Sequence, residues 1–310
     1  MISTEARTDS EDALVAAYAE CCAIARREAK NFYYAFVALP KPRRNAICAI
    51  YAFMRKADDL ADDESMSIEE RRDCLDVWRS EWRDVCTGSY TADSVFLAVL
   101  DAIERYGIPL SLLDELVAGV TMDLDQASAG EPDTYATFDD LYRYCYLVAS
   151  VVGLVCIRIF GYQDQRAEKL AEKTGIAFQL TNILRDVAED AERQRVYLPL
   201  EDLAAHHVSL HSLLNREPGR SPSDEERALL KAIAQRTEGF YRSAQELLPL
   251  IDKESRPALW VLVSIYHALL QRIEKADYDV FSERARLPMP QKLGILAIGM
   301  ARMGLARLVV

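Results

Sequence analysis

The chain has 310 residues, half of them hydrophobic, which is enough to bury a large core. Glycine and proline are sparse, at 12 and 11 residues, and this favours helices over a turn-rich β fold. The net charge of −12 argues against general nucleic-acid binding, because a protein that follows a phosphate backbone needs a basic face. We therefore expect an all-α protein without a nucleic-acid partner, in which metal ions mediate any contact with phosphate.

The N-terminus and the cysteines both predict a cytoplasmic protein. Residues Met1 to Asp12 are polar and acidic, and they lack the basic-then-apolar order of a signal peptide. The seven cysteines are odd in number and contain no C-x-x-C pair, so we interpret them as reduced thiols in helical surroundings.

Helical periodicity dominates from about Glu11 to the end, with breaks at proline, glycine and polar residues. Ser67, Thr137 and Ser223 each stand where an N-cap is expected. The pattern predicts no strand and no repeat of fixed length. Predicted helices cover residues 11–39, 43–62, 67–88, 91–106, 109–127, 138–160, 164–189, a long segment from 223, residues 255–276, and a final helix after Pro290.

No segment has the composition of a flexible linker, so the chain is predicted to form one helical domain. We assign residues 1–12 to a tail, 13–290 to the domain and 291–310 to a C-terminal amphipathic helix. From Leu293 onward the sequence is mostly apolar and has no acidic residue. This composition predicts a helix that docks or lies in a membrane interface, with peripheral contact at the inner membrane face, rather than a span.

Two clusters carry polar side chains at helical spacing. In the first, Asp58 lies one turn before Asp62; in the second, Asn182, Asp186 and Asp190 follow one another at intervals of four. Such spacing stacks the side chains on one face of a helix, where like charges repel. The stacking therefore calls for a compensating cation.

An acidic surface face is the alternative interpretation of either cluster alone. However, residues 47–53 and 176–180, which precede the clusters, are apolar and aromatic, as expected of core-facing helices. Buried carboxylates need a metal or a base, and hard oxygen ligands suit Mg²⁺, with Mn²⁺ as a second choice. Arg55 and Arg185 could add cationic contacts to a phosphorylated substrate. The histidines and cysteines form no zinc or di-iron pattern.

Five segments of the chain form a specific set, namely NFYYAFVALP (31–40), YAFMRKADDLADD (51–63), YRYCYLVASVVG (142–153), AFQLTNILRDVAEDAERQRVYLP (177–199) and DYDVFSERARLP (277–288). They closely resemble the squalene/phytoene synthase family, the head-to-head prenyl transferases, over residues 29–293. The resemblance implies an all-α isoprenoid-synthase fold with a central cavity. There, metal-assisted loss of one diphosphate would give an allylic cation that the second substrate captures as a cyclopropylcarbinyl diphosphate.

The resemblance also implies roles for individual residues. The expected metal ligands are Asp58, Asp62, Asp186 and Asp190, with Gln179 and Asn182 as their neighbours in substrate binding. The expected catalytic residues are Arg55 and Arg185 at the diphosphates and Tyr51, Tyr144 and Tyr266 at the reaction centre. Phe32 and Phe36 are expected to line the cavity. The family often has hydroxyl residues shortly before the first of these phenylalanines, whereas this chain has Ala29 and Asn31.

Several alternatives stay open at this point. The preferred reaction joins two farnesyl diphosphates (C15) to give presqualene diphosphate or squalene. NADPH would be needed only if the reaction continued to squalene. This preference rests partly on the bulky Phe32, Tyr33, Tyr34 and Phe36, which would shorten a cavity if they pointed inward. Two geranylgeranyl diphosphates (C20) giving phytoene is the alternative. A terpene cyclase and a non-catalytic helical binding protein are the remaining candidates, and the oligomeric state is not predicted.

Overall fold

A computed structural model describes residues 4–127, 133–217 and 219–308. Helices make up nearly all of the regular structure, so the all-α prediction is confirmed. Their bounds are α1 Thr4–Glu28, α2 Lys30–Val37, α3 Lys41–Ala61, α4 Ile68–Cys86, α5 Ser94–Tyr106, α6 Leu110–Ala127, α7 Phe138–Cys145, α8 Val151–Phe160, α9 Arg166–Glu192, α10 Leu200–Ala205, α11 Leu210–Leu214, α12 Asp224–Leu247, α13 Arg256–Lys275 and α14 Met289–Leu308.

The predicted helix starts depend on short-range side-chain hydrogen bonds, and the structure contains them. Ser67, Thr137 and Ser223 each accept a hydrogen bond from the backbone N–H three residues on. In each case an acidic side chain at that third position accepts one in return, which completes a capping box. These caps fix where α4, α7 and α12 begin.

The structure differs from the predicted elements at several places. The first predicted helix is divided at Ala29 into α1 and α2, and α1 already begins at Thr4, inside the predicted N-terminal tail. No strand was predicted, but β1 (Asp133–Thr134) pairs in parallel with β2 (Arg195–Val196). Strands of two residues are too short to give an alternating pattern in the sequence.

A π-helical segment at residues 146–150 joins α7 to α8 within the predicted helix 138–160. It packs against Gly175 of α9, where an added Cβ would lie 2.6 Å from the Cα of Ser150. The glycine therefore permits the close approach of the two helices. Among the described residues, only the stretch 138–160 is long and apolar enough to span a bilayer by composition, and 44% of its apolar window is buried inside the protein.

α9 lies at the centre, in contact with α12, α13, α8 and the π-helical segment. α3 packs against α1 and α5, and α2 lies against α13. Behind the acidic end of α3, Phe53 packs among aromatic rings of α4 and α5 at centroid distances of 4.7 to 6.3 Å. This cluster anchors the helix that carries the first pair of aspartates.

Candidate active site

The first acidic cluster occupies the C-terminal end of α3. Asp58 lies in the last turn and Asp62 caps the helix, its backbone N–H donating to the Asp58 carbonyl at 2.8 Å. Carboxylates at this end of a helix face the negative end of the helix dipole, which adds to their mutual repulsion. A cation bound here would relieve both unfavourable interactions.

Arg55 lies one turn before Asp58. Its Nη2 is 2.6 Å from Oδ1 of Asp59, a neighbour on the outer side of the helix. Its Nε is buried and has no hydrogen-bond partner. A buried N–H without an acceptor is costly, so Arg55 presents one guanidinium donor to an anion that would complete its hydrogen bonding.

The second cluster occupies the last three turns of α9, and Asp186 lies between two arginines. Arg185 donates from Nε to Oδ1 of Asp186 at 2.7 Å. Arg284 donates from its Nε to the same oxygen at 2.8 Å, and its Nη1 lies 3.2 Å from Glu189 Oε2. Arg284 lies in the family-like segment 277–288, but no role was predicted for it. It is separated from Asp186 by 98 positions in the chain, so no local sequence pattern predicts their contact.

Asp190 has a buried carboxyl group close to that of Asp186. Its pKa is raised to about 7, first because the group is buried and then because the charge of Asp186 is near. Arg195 and Arg193 oppose this shift. A carboxyl group that resists ionisation beside another carboxylate is suited to binding a cation, which would return it to the charged form.

Asn182 connects this cluster to Tyr266 of α13. Its side chain lies close enough to the Tyr266 hydroxyl to lower the pKa of that phenol, and its Nδ2 lies 3.4 Å from Gln179 Oε1. Its Oδ1 is buried without a hydrogen-bond partner. An unpartnered carboxamide oxygen on the same stripe as Asp186 and Asp190 is a further oxygen donor for a metal ion.

Aromatic side chains of α2 link the two acidic clusters. Phe32 lies 5.6 Å from the ring of Tyr266, which also stacks on Phe178 at 4.5 Å. One turn further along α2, Phe36 makes an edge contact with Tyr51 of α3 at 6.1 Å. Phe32 and Phe36 thus contact tyrosines of two different helices, α13 and α3.

The two tyrosines in these aromatic contacts, Tyr51 and Tyr266, each lie beside one acidic cluster. Burial raises the pKa of Tyr51, which is close to Arg55 and Asp58. Burial likewise raises the pKa of Tyr266 to about 12, and Arg185 nearby opposes the shift. Both phenols therefore stay neutral at physiological pH, with an aromatic face available to a cation.

Tyr144 lies in a separate group of stacked tyrosines. Its ring is 5.0 Å from that of Tyr197 and 5.4 Å from that of Tyr135. These two partners flank the β1–β2 pair, next to the end of α9, and the sequence analysis did not identify them. Their spacing from Tyr144 in the chain follows no helical period, so only the fold brings the three rings together.

The donor set fits divalent metal ions that are shared with a substrate. Within the described part of the chain, no three histidine, cysteine, aspartate or glutamate side chains converge on one metal position. The structure instead provides two carboxylate pairs on different helices and the free oxygen of Asn182. Mg²⁺ is commonly held by one or two carboxylates together with waters and substrate phosphates, which matches this arrangement.

Comparisons with known proteins agree with this interpretation. The family profile described as squalene/phytoene synthase matches residues 25–291. A 15-cis-phytoene synthase from Synechococcus elongatus is 34% identical over 298 residues, covering 92% of this chain and 93% of that protein. A phytoene synthase from Arthrospira platensis is also 34% identical over 298 residues, with the same coverage.

Solved structures show the same fold. A dehydrosqualene synthase in complex with a ligand superposes with a TM-score of 0.81 at 28% identity, covering 95% of this chain and 99% of the other. The squalene synthase HpnC from Alicyclobacillus acidocaldarius gives a TM-score of 0.76 at 25% identity, with 86% and 96% coverage. The chain therefore has the all-α isoprenoid-synthase fold and belongs to the squalene/phytoene synthase family of head-to-head prenyl transferases.

Proposed function

We propose that this chain is a phytoene synthase, which condenses two geranylgeranyl diphosphates head to head and releases diphosphate. The observation that carries the proposal is that curated relatives matching 92% of the chain at 34% identity are phytoene synthases. This replaces the farnesyl diphosphate preference of the sequence analysis.

The structure also removes part of the physical reason for that earlier preference. Tyr33 lines a cavity between α1 and α3, and the Tyr34 hydroxyl lies 2.8 Å from the sulfur of Met289 in α14. Phe32 and Phe36 contact Tyr266 and Tyr51, which lie next to the acidic clusters. Side chains at the diphosphate end of a cavity do not limit the length of the hydrocarbon at the other end.

The predicted site residues form two groups, one that would bind diphosphate and one that would stabilise the allylic cation. Arg55 offers its buried Nε, and Arg185 and Arg284 could turn from Asp186 to the diphosphate oxygens as the charges rearrange. Divalent metal ions held by the two carboxylate pairs would neutralise the diphosphate and assist its departure. Mg²⁺ is the ion we propose, because all of the donors are hard oxygens.

The aromatic residues then act on the allylic cation. Tyr266, backed by Phe178 and Phe32, presents a ring face where the cation would form beside the second cluster. A desolvated aromatic face stabilises a cation by about 2 kcal/mol. The apolar packing around these rings excludes water, which would otherwise capture the cation as an alcohol.

A C15 reaction is the second candidate. Support for it comes from the solved structures of a dehydrosqualene synthase and a squalene synthase, which superpose over most of the chain. In our proposal the enzyme does not use NADPH, which we expected only for a reaction continuing to squalene.

Competition between the two substrates tests the proposal. The protein is incubated with Mg²⁺ and equal concentrations of farnesyl and geranylgeranyl diphosphates, with and without NADPH, and the hydrocarbon products are identified. We expect a higher kcat/KM for the C20 substrate and phytoene independent of NADPH. A preference for the C15 substrate with a C30 product would overturn the phytoene assignment and retain the head-to-head reaction.

We also propose that the protein is cytoplasmic and touches the membrane through α14. Leu293 and Ile298 of this helix are 51% and 52% exposed, and Met289 at its start is 56% exposed. Exposed apolar residues on a terminal helix without acidic residues suit an interfacial position. A hydrocarbon product would leave the enzyme more readily into lipid than into water.

A further inference from the structure

A cavity lies near the N-terminal end of α3, opposite the end that carries the aspartates. It lies between α1 and α3, has a volume of about 620 Å³ and is separate from the acidic clusters. Its lining includes Cys22 from α1 and Cys48 from α3, together with the basic side chains of Lys41 and Arg44. The proposed prenyl transfer uses none of these residues.

The two thiols face the same interface between α1 and α3. Cys22 is half-buried, and its sulfur lies 3.5 Å from Oδ1 of Asn45, whereas Cys48 is 1% exposed. Asn45 precedes Cys48 by three residues and therefore lies on the same face of α3, and both cysteines line the same cavity. This arrangement brings Cys22 to the part of α3 that carries Cys48, and a movement of side chains would bring the sulfur atoms within bonding distance.

The surroundings distinguish the roles of the two thiols. The pKa of Cys22 is lowered to about 7, first by the neighbouring Cys48 thiol and then by the charges of Arg44 and Lys41, while burial opposes the shift. The Cys22 thiol, followed by burial, raises the pKa of Cys48. Cys22 is therefore the more acidic of the two thiols and the one that supplies a thiolate.

Cys48 also lies on the functional stripe of α3. From Cys48, spacings of three and four residues lead in turn to Tyr51, Arg55, Asp58 and Asp62. Residues at these spacings share one face of a helix. A covalent bond at Cys48 would thus tie α1 to the helix face that carries the first acidic cluster.

We propose that Cys22 and Cys48 are a peroxide-sensitive pair that closes to a disulfide between α1 and α3. The Cys22 thiolate attacks one oxygen of a hydroperoxide, the O–O bond breaks, and the released alkoxide or hydroxide takes up a proton, leaving a sulfenic acid on Cys22. The sulfur of Cys48 then attacks the sulfur of Cys22. The S–O bond breaks, and the hydroxide leaves as water with the Cys48 proton, so that two thiols are oxidised and one peroxide is reduced.

Peptide mapping of the full-length protein tests this inference. The reduced protein is treated with hydrogen peroxide, remaining thiols are alkylated, and the protein is digested with trypsin. We expect peptide 8–26 to be joined to peptide 45–55, with a mass lower by two hydrogen atoms, and dithiothreitol to separate them. If the peroxide oxidises other cysteines but the cross-linked pair of peptides is not found, the proposal is overturned.

Peptide 8–26 contains Cys21 as well as Cys22, so variants are needed to assign the bond. Cys21 is fully buried, and burial raises the pKa of its thiol to about 12. We expect C21S and the control C74S to keep the cross-link, and C22S and C48S to lose it. In C48S, dimedone should label a sulfenic acid on Cys22. A cross-link that persists in C22S, or disappears in C21S, would contradict the assignment.

Discussion

Replacing Asp190 by Asn is expected to stabilise the metal-free protein while abolishing its activity. The Asp190 carboxyl group is buried near Asp186, and both features raise its pKa from 3.8 to about 7. At neutral pH and above, folding without metal therefore forces an unfavourable charge into the site. An amide of nearly the same shape carries no charge and avoids this cost.

The size of the stability gain in D190N, and its dependence on pH, follow from the shift of the Asp190 pKa. A raised carboxyl pKa gives stability that is fully present below the unfolded-state value near 4 and is lost as the pH rises through about 7. A shift from 3.8 to about 7 corresponds to about 4 kcal/mol at most, since each unit is worth about 1.4 kcal/mol. The advantage of D190N should thus grow between pH 4 and 7 and stay constant above.

Denaturant unfolding in EDTA at about pH 5 and about pH 8 measures this advantage. D73N, a change of an exposed aspartate in α4, serves as the control and should show no such dependence. Adding Mg²⁺ and diphosphate should then stabilise the wild type more than D190N. A D190N protein that is no more stable than wild type at pH 8 would contradict the raised pKa of Asp190. The same conclusion would follow if its advantage in unfolding free energy were equal at the two pH values.

Three further predictions concern other parts of the structure. G175A should destabilise the protein by about 1 to 3 kcal/mol in thermal unfolding, because the added Cβ would overlap the backbone of Ser150, and a wild-type midpoint would contradict this packing. Y266F keeps the ring but loses the hydroxyl beside the Asn182 amide, so we expect a stability loss of only about 1 kcal/mol together with a fall in turnover of about tenfold; unchanged turnover would remove the hydroxyl from the mechanism. I298E should lower co-sedimentation with anionic liposomes, whereas V77E on α4, at a position that is at least as exposed, should not; equal effects would exclude α14 as the membrane contact.

The parts of the fold that the sequence predicted depend on local interactions. The capping boxes at Ser67, Thr137 and Ser223 involve side chains only three residues apart, so a pattern in the sequence is enough to place them. The same is true of the carboxylate pairs, whose i,i+4 spacing on α3 and α9 follows directly from helix geometry. Their role as metal ligands stays a prediction.

The parts that the sequence did not predict depend on tertiary packing. Arg284 reaches Asp186 across 98 residues, and the β1–β2 pair joins Asp133 to Arg195. The π-helical segment at 146–150 belongs to a continuous apolar run, and its close approach to Gly175 appears only in the folded structure. Nothing in the local sequence distinguishes these positions.

The most direct test of the central claim is a product assay with wild-type protein and D186N. Purified protein is incubated with geranylgeranyl diphosphate or farnesyl diphosphate, with Mg²⁺ or with EDTA, and released diphosphate and the hydrocarbon product are quantified together. We expect diphosphate release that depends on Mg²⁺ and is coupled to a head-to-head product, and we expect both to fall by several orders of magnitude in D186N that remains folded by circular dichroism. Turnover that persists in D186N or in EDTA would contradict metal-assisted prenyl transfer at this site.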